Sequence, residues 1–190
     1  MSGNEIAVKC SGITKAFGGV VANDDINLEV KYGEILALLG ENGSGKTTLM
    51  NMLSGIYHPD KGTIAISGKT VAINSPKDSI ALGIGMIHQH FKLVEVFTAA
   101  DNIVAGTKGS LKGKGAVRDE INKISEQLGL EVDPDKKVYN MSVSEKQTVE
   151  ILKVLYRGAK ILILDEPTAV LTPQETEKLF AILKKMKAQG

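Results

Sequence analysis

The sequence predicts an α/β domain, and three observations predict it. An apolar run, Ile35 to Leu39, leads into a glycine-rich stretch, Gly40 to Thr48 (GENGSGKTT), and a helical apolar spacing (Leu49, Met52, Leu53, Ile56) follows. A second apolar run, Ile161 to Leu164, ends in two acids, Asp165 and Glu166. The periodicity also changes along the chain: short alternating runs fill the first third, and helical spacing dominates from about 90 to 158.

Taken in order, residues 4 to 32 read as strands, because Ile6, Val8, Ile26, Leu28 and Val30 alternate with polar neighbours, punctuated by Asn23-Asp24-Asp25 and Lys31-Tyr32-Gly33. After the first helix, His58 to Gly62 is a turn, and Thr63–Ser67 with Thr70–Ile73 forms a hairpin around Gly68-Lys69. This predicts an antiparallel layer beside a parallel sheet. Ser75-Pro76 opens a brief helix, and Ile84 to Ile87 is the next strand. Thr107 to Gly115, rich in lysine and glycine, reads as a mobile, solvated loop. A helix follows from about Ala116, with Val117, Ile121, Ile124 and Leu128 on one face and Gly129 as its stop. Another runs from Ser142 to about Arg157, with Ser142 and Glu145 at capping-box spacing. Ile161 to Leu164 is the next buried strand, and a last helix opens at Thr172-Pro173.

Composition bounds the function. At 190 residues the chain suits one α/β domain, and 43% hydrophobic with 24% charged residues is ordinary for a soluble globular protein. A net charge of +1 gives no broad electrostatic reason to expect nucleic acid. Cys10 is the only cysteine, which points to a reducing compartment. No signal peptide is visible, and no apolar run approaches the ~20 residues of a membrane span.

Gly40 to Thr48 fits G-x-x-x-x-G-K-[ST], the phosphate loop of the P-loop NTPases, with Gly40, Gly45, Lys46 and Thr47 in the fixed places and Asn42 and Ser44 between them. Gly43 and Gly45 lack a Cβ, so the backbone can curl and turn its N–H groups onto phosphate oxygens. The positive end of the following helix adds to that attraction. Lys46 is the point charge for the β- and γ-phosphates, Thr47 the hydroxyl ligand for Mg²⁺, and Thr48 a second hydroxyl for phosphate. A strand ending at Asp165 delivers its carboxylate to the phosphate end of the sheet, where it can hold Mg²⁺, and sets Glu166 to orient or deprotonate a water.

Together these residues resemble the nucleotide-binding domain of an ABC transporter, over essentially the whole chain. The resemblance implies that Phe17, in ITKAFG, stacks on adenine. It implies that Gln89, in MIHQH, contacts Mg²⁺ and the attacking water and moves with a membrane subunit, and that Phe97 to Ile103 receives that subunit's coupling helix. The stretch from Met141 to Glu175 is similar to the first half of tandem ATPases that energise bacterial import of simple sugars and, in one branch, nucleosides; HQHFKL (His88 to Leu93) leans toward the nucleoside branch. The family signature, usually Leu-Ser-Gly-Gly-Gln, stands as Met141-Ser142-Val143-Ser144-Glu145. Ser142 keeps the hydroxyl, but Ser144 replaces a glycine that would let a backbone N–H approach phosphate. Thr172 stands where many relatives place an aspartate.

The expected fold is therefore an ABC-type ATPase with an antiparallel β subdomain and a helical insert: an ATP-binding core at about 4–88 and 159–190, and a helical subdomain at about 89–158. The strand ending in the γ-phosphate histidine is expected beyond Gly190, so the domain is expected to be C-terminally incomplete and weak in hydrolysis alone. The resemblance implies ATP and Mg²⁺ as cofactors. The implied partners are a second ABC ATPase domain (a tandem half or a homodimer mate), membrane permease subunits and, indirectly, an extracytoplasmic substrate-binding protein, with no nucleic acid. The expected place is cytoplasmic, peripheral on the inner face of the cell membrane. Two other function classes stand beside this one: a soluble ABC-type ATPase of translation or DNA repair, and a module that binds ATP without hydrolysing it.

Overall fold

Around the turn at Gly18-Gly19, two long strands fold back on each other. The computed structural model, which describes residues 5–107 and 113–189, pairs β1 (Ile6–Phe17) with β2 (Val20–Lys31), Phe17 opposite Val20 and Val8 opposite Val30. Gly18 takes φ +58, the left-handed conformation that a two-residue hairpin loop demands. The other edge of β1 pairs antiparallel with β3 (Lys61–Ile66), and β3 with β4 (Lys69–Val71), giving the sheet order β2-β1-β3-β4. Alternation puts Val8, Cys10, Ile64 and Ile66 inside, and the Cys10 thiol is pushed up to about 11 by that burial. Asn23-Asp24-Asp25 does not break the chain into two strands as its turn-like composition predicts. It lies within β2, where Asp25 at φ +48 accompanies shifts of register against β1.

The run Ile35 to Leu39 also departs from expectation. It takes no regular secondary structure and belongs to no sheet among the described residues, and Leu39 is 92% exposed. A strand exists only where a neighbour completes its ladder, and none of the described strands pairs with this run. The phosphate loop follows it, then α1 (Lys46–Leu53), which buries Leu49, Met52 and Leu53 and ends before Ile56. Ser75 caps α2 (Pro76–Ala81), its hydroxyl accepting the Asp78 N–H.

The chain divides into two compact units, one of Met1–Ile84 with Met186–Gly190 and one of Gly85–Lys185. The second contains a helical cluster: α3 (Ala99–Val104), α4 (Lys114–Leu128) and α5 (Val143–Tyr156), with α5 packed on both others. Ile103, Ile121, Ile151 and Leu152 are fully buried. α4 begins two residues earlier than expected and stops at Gly129 (φ +66) as predicted; of the lysine-glycine stretch before it, residues 108–112 lie outside the described residues.

The cluster is flanked by β5 (Ile84–Ile87) and β6 (Ile161–Leu164), which form a two-stranded sheet. The Asp165 N–H donates to the Ile87 carbonyl at 3.0 Å, so the two C-terminal ends lie side by side, as only a parallel pair allows. All four residues of β6 are half-buried, not buried as their unbroken apolar run predicts. α6 (Pro173–Ala188) buries Leu179 and Leu183.

Candidate functional site

In the first unit the glycine-rich loop curls over its own lysine. Gly43 and Gly45 take φ +85 and +87, conformations that favour glycine over any residue with a Cβ. A Cβ on Gly40 would lie 2.8 Å from the Ser44 Oγ, inside the loop. At Gly45 it would collide with the Ala22 carbonyl and come within 2.8 Å of the Asn23 Nδ2. The Lys46 ammonium sits in the mouth of the loop, donating to the carbonyls of Gly40 (2.7 Å) and Glu41 (2.8 Å).

α1 starts directly behind. No side chain caps its first turn and no acid lies there, so no carboxylate of its own first turn offsets the positive end of the helix beside an exposed loop. Asn42 and Ser44 complete that loop, and Thr47 and Thr48 place two hydroxyls on the first turn of α1. The β2 residue Asn23 is a support that reasoning from sequence passed over. Its amide donates to the Gly45 carbonyl at 3.3 Å, and the residue is buried, with its Oδ1 lacking a partner. Its place in the turn-like run Asn23-Asp24-Asp25 hid that role, because the run lies within β2.

At the end of β1, Phe17 leaves 43% of its surface in solvent. Tyr57 meets it edge-on with ring centroids 5.0 Å apart, and the Lys15 Nζ stands 5.4 Å from its ring centre. Lys15 in turn pairs with Asp60 at 2.7 Å, which with the Ala16 N–H holds that carboxyl below its usual range. The ring is a supported, exposed aromatic face, available for stacking.

In the second unit the parallel pair β5–β6 brings Gln89, Asp165 and Glu166 together. The Gln89 Nε2 donates to the Glu166 Oε2 at 3.0 Å, both side chains exposed. Glu166 takes φ +47, one of three non-glycine residues in the left-handed region among those described. Strain of that kind persists only where surroundings hold it. One hold is Gln147 of α5, buried, whose amide donates to the Pro167 carbonyl at 2.9 Å.

Ser142 begins α5 with the capping box its spacing predicts. Its hydroxyl accepts the Glu145 N–H (3.2 Å), and the Glu145 carboxylate accepts the Ser142 N–H (2.8 Å). Lys136 bonds that carboxylate at 2.6 Å and, with the Ser142 N–H, lowers its pKa. Thr172 caps α6, its hydroxyl accepting the Glu175 N–H at 3.3 Å.

A sequence model described as ABC transporter matches residues 23–169, more than half of the chain and inclusive of both motifs. The chain belongs to the ABC transporter family. Among curated members it is 52% identical to the guanosine import ATP-binding protein NupO of Bacillus subtilis, over 98% of this chain and 37% of that protein. It is 51% identical to the nucleoside import ATP-binding protein NupA of Lactococcus lactis, over 98% and 38%. It is 46% identical to the ribose import ATP-binding protein RbsA 2 of Burkholderia ambifaria, over 96% and 37%. The chain thus spans less than two-fifths of the length of these relatives. Among solved structures it resembles cbiO1 of Clostridium perfringens, part of the ABC transporter complex cbiONQ, at a TM-score of 0.84 and 29% identity, covering 98% of this chain and 75% of that one. It resembles the ADP conformation of MJ1267, an ATP-binding cassette of an ABC transporter, at 0.86 and 27%, covering 97% and 78%. The fold is that of an ABC-type ATPase, with the antiparallel layer and helical insert that the sequence predicts.

Proposed function

We propose that this chain is the ATP-binding and ATP-hydrolysing domain of an ABC importer of a small solute. The observation that carries the reading is the uncapped start of α1 behind a glycine loop whose Gly45 has no room for a Cβ, which would collide with the Ala22 carbonyl. Relatives named for guanosine and nucleoside import stand at 52% and 51%, above a ribose importer at 46%, which favours a nucleoside over a sugar.

Each residue then has a role. The loop N–H groups and Lys46 bind the β- and γ-phosphates, and Phe17 stacks on adenine. Mg²⁺ fits the donor chemistry, since Thr47 offers a hydroxyl, Asp165 a carboxylate and Gln89 an amide oxygen, all hard oxygens, with the remaining ligands drawn from phosphate and water. When bound it neutralises charge on the β- and γ-phosphates. Glu166 accepts a proton from the attacking water, or orients it, and Gln89 holds the Glu166 carboxylate through the bond described above. The proposed ATP-binding core spans about 4–88 and 159–190, and the helical subdomain about 89–158.

Partners follow from what the domain lacks by itself. A second ABC ATPase domain, a tandem half or another copy, supplies a signature to this loop, while Ser142 serves the partner's nucleotide. That service is weakened here, because the Glu145 carboxylate already occupies the Ser142 N–H and Ser144 adds a side chain where glycine is usual. Of Phe97 to Ile103, the stretch expected to receive a permease, Ala99, Asn102 and Ile103 are buried in the helical cluster; the docking surface is exposed Phe97 with its apolar neighbours Val94 and Val96. No helix among the described residues is long and apolar enough to cross a membrane. Attachment to the inner face of the cell membrane is proposed to run through that permease. An extracytoplasmic binding protein enters only at one remove.

ATP turnover by the complete assembly with its permease is the test. Glu166→Gln is expected to keep ATP binding and to lose about 10²–10⁴-fold in turnover. Undiminished turnover would remove Glu166 from the chemistry. Turnover that is absent in the unaltered assembly, with ATP still bound, would favour the non-hydrolysing module. A fully active chain that never co-purifies with permease subunits would favour the soluble ATPase.

A further inference from the structure

We infer that α5 sets the catalytic geometry of the site proposed above, through Gln147 and Glu150 acting as positioning residues; the inference rests on that reading of Gln89 and Glu166. The two side chains stand three apart, on one face of the helix. They are 6% and 4% exposed, the buried polar residues of α5. Each reaches the backbone of one of the two loops that carry the reacting groups. Gln147 donates to the carbonyl of Pro167, the residue after Glu166. The Glu150 Oε1 accepts the N–H of Lys92, three residues after Gln89, at 2.8 Å.

Lys153, one turn on from Glu150, closes the clamp. Its ammonium donates to the Lys92 carbonyl at 2.7 Å and lies 3.4 Å from the Glu150 carboxylate. Both backbone groups of Lys92 are thereby held by one helix. α5 itself has no slack against β5: a Cβ on Gly85 would lie 2.8 Å from the Val154 Cβ and 3.0 Å from the Ala159 Cβ. Burying a carboxylate costs free energy that an aliphatic side chain of the same size would not. The polar face of α5 is therefore poor packing but a good gauge: it holds the segment after β6 at Pro167 and the segment after β5 at Lys92 against a single helix. The 3.0 Å contact between Gln89 and Glu166 is the result. Neither Gln147 nor Glu150 touches a reacting atom.

The test uses the full-length protein assembled with its permease. Glu150→Ala is expected to lower kcat for ATP by about 10- to 100-fold, the scale for a reacting group displaced from a distance. KM for ATP, and the affinity for a fluorescent ATP analogue, should stay close to those of the unaltered assembly. Glu150→Gln keeps an acceptor for the Lys92 N–H and is expected to restore most of kcat. Gln147→Met, near-isosteric and without a charge to strand, should show the same split even if Glu150→Ala does not fold. Full kcat in Gln147→Met, or kcat and nucleotide affinity falling together with no recovery in Glu150→Gln, overturns the inference alone. An unaltered assembly without ATP turnover overturns the proposed function and this inference with it.

Discussion

Gly45 shows how much one position decides. It opens α1 at φ +87, and its missing Cβ is the space into which the Ala22 carbonyl and the Asn23 amide pack. Gly43 has nearly the same φ, +85, but nothing within 4 Å of where its Cβ would stand. The pair separates strain from collision. Gly43→Ala is expected to cost about 1–2 kcal/mol, the ordinary penalty of the left-handed region. Gly45→Ala adds a clash with backbone, so urea unfolding should show a larger loss, with ATP binding abolished in the same variant. Equal losses would mean that β2 gives way easily and that Asn23 supports nothing. At this scale the sequence is informative where a fixed spacing carries the chemistry: Gly40, Gly45, Lys46 and Thr47 identify themselves, as do two acids at the end of an apolar run. Asn23 and Gln147 do not. Each works by a hydrogen bond to the backbone of a residue about twenty positions away, and no local pattern marks such a partner.

Among the elements, α5 carries two demands at its first turn. Ser142 must cap the helix, and in the proposed function it must also meet a phosphate on another domain. Ser142→Ala should lower the stability of the chain by about 1 kcal/mol through the lost cap. Ser142→Asp restores a good cap and should regain that stability in urea unfolding, yet it turns a negative charge toward the phosphate and should not regain turnover in the assembly. If both variants keep full turnover, Ser142 is a cap and nothing more. Helices were readable because their signals are local: Ser75 and Pro76, Ser142 and Glu145, and the left-handed Gly129 lie within a turn of the ends they define. Strands were less so. Ile35 to Leu39 and Ile161 to Leu164 are equally apolar runs, but only the second has a partner among the described residues. Even that strand is half-buried along its length. An apolar run states what a segment would gain by burial; which neighbour provides the burial is a tertiary fact.

For the molecule as a whole, the order of the motifs along the chain identified the family more firmly than any one of them. The functional division expected at about 88 and 158 and the compact units, whose ranges divide after Ile84 and after Lys185, describe different things. The first follows the order of motifs, and the second follows which backbone segments pack together. The phosphate loop belongs to one unit and the Gln89–Glu166 pair to the other, so binding and turnover are separable claims. Binding is the central one. Calorimetric titration of ATP into the 190-residue chain, in parallel with its Lys46→Ala variant, tests it most directly. The unaltered chain should bind one ATP, and the variant should lose tenfold or more in affinity, about 1.4 kcal/mol or more. Equal affinities, or no binding by the unaltered chain, would contradict the assignment of Gly40–Thr48 as a phosphate seat.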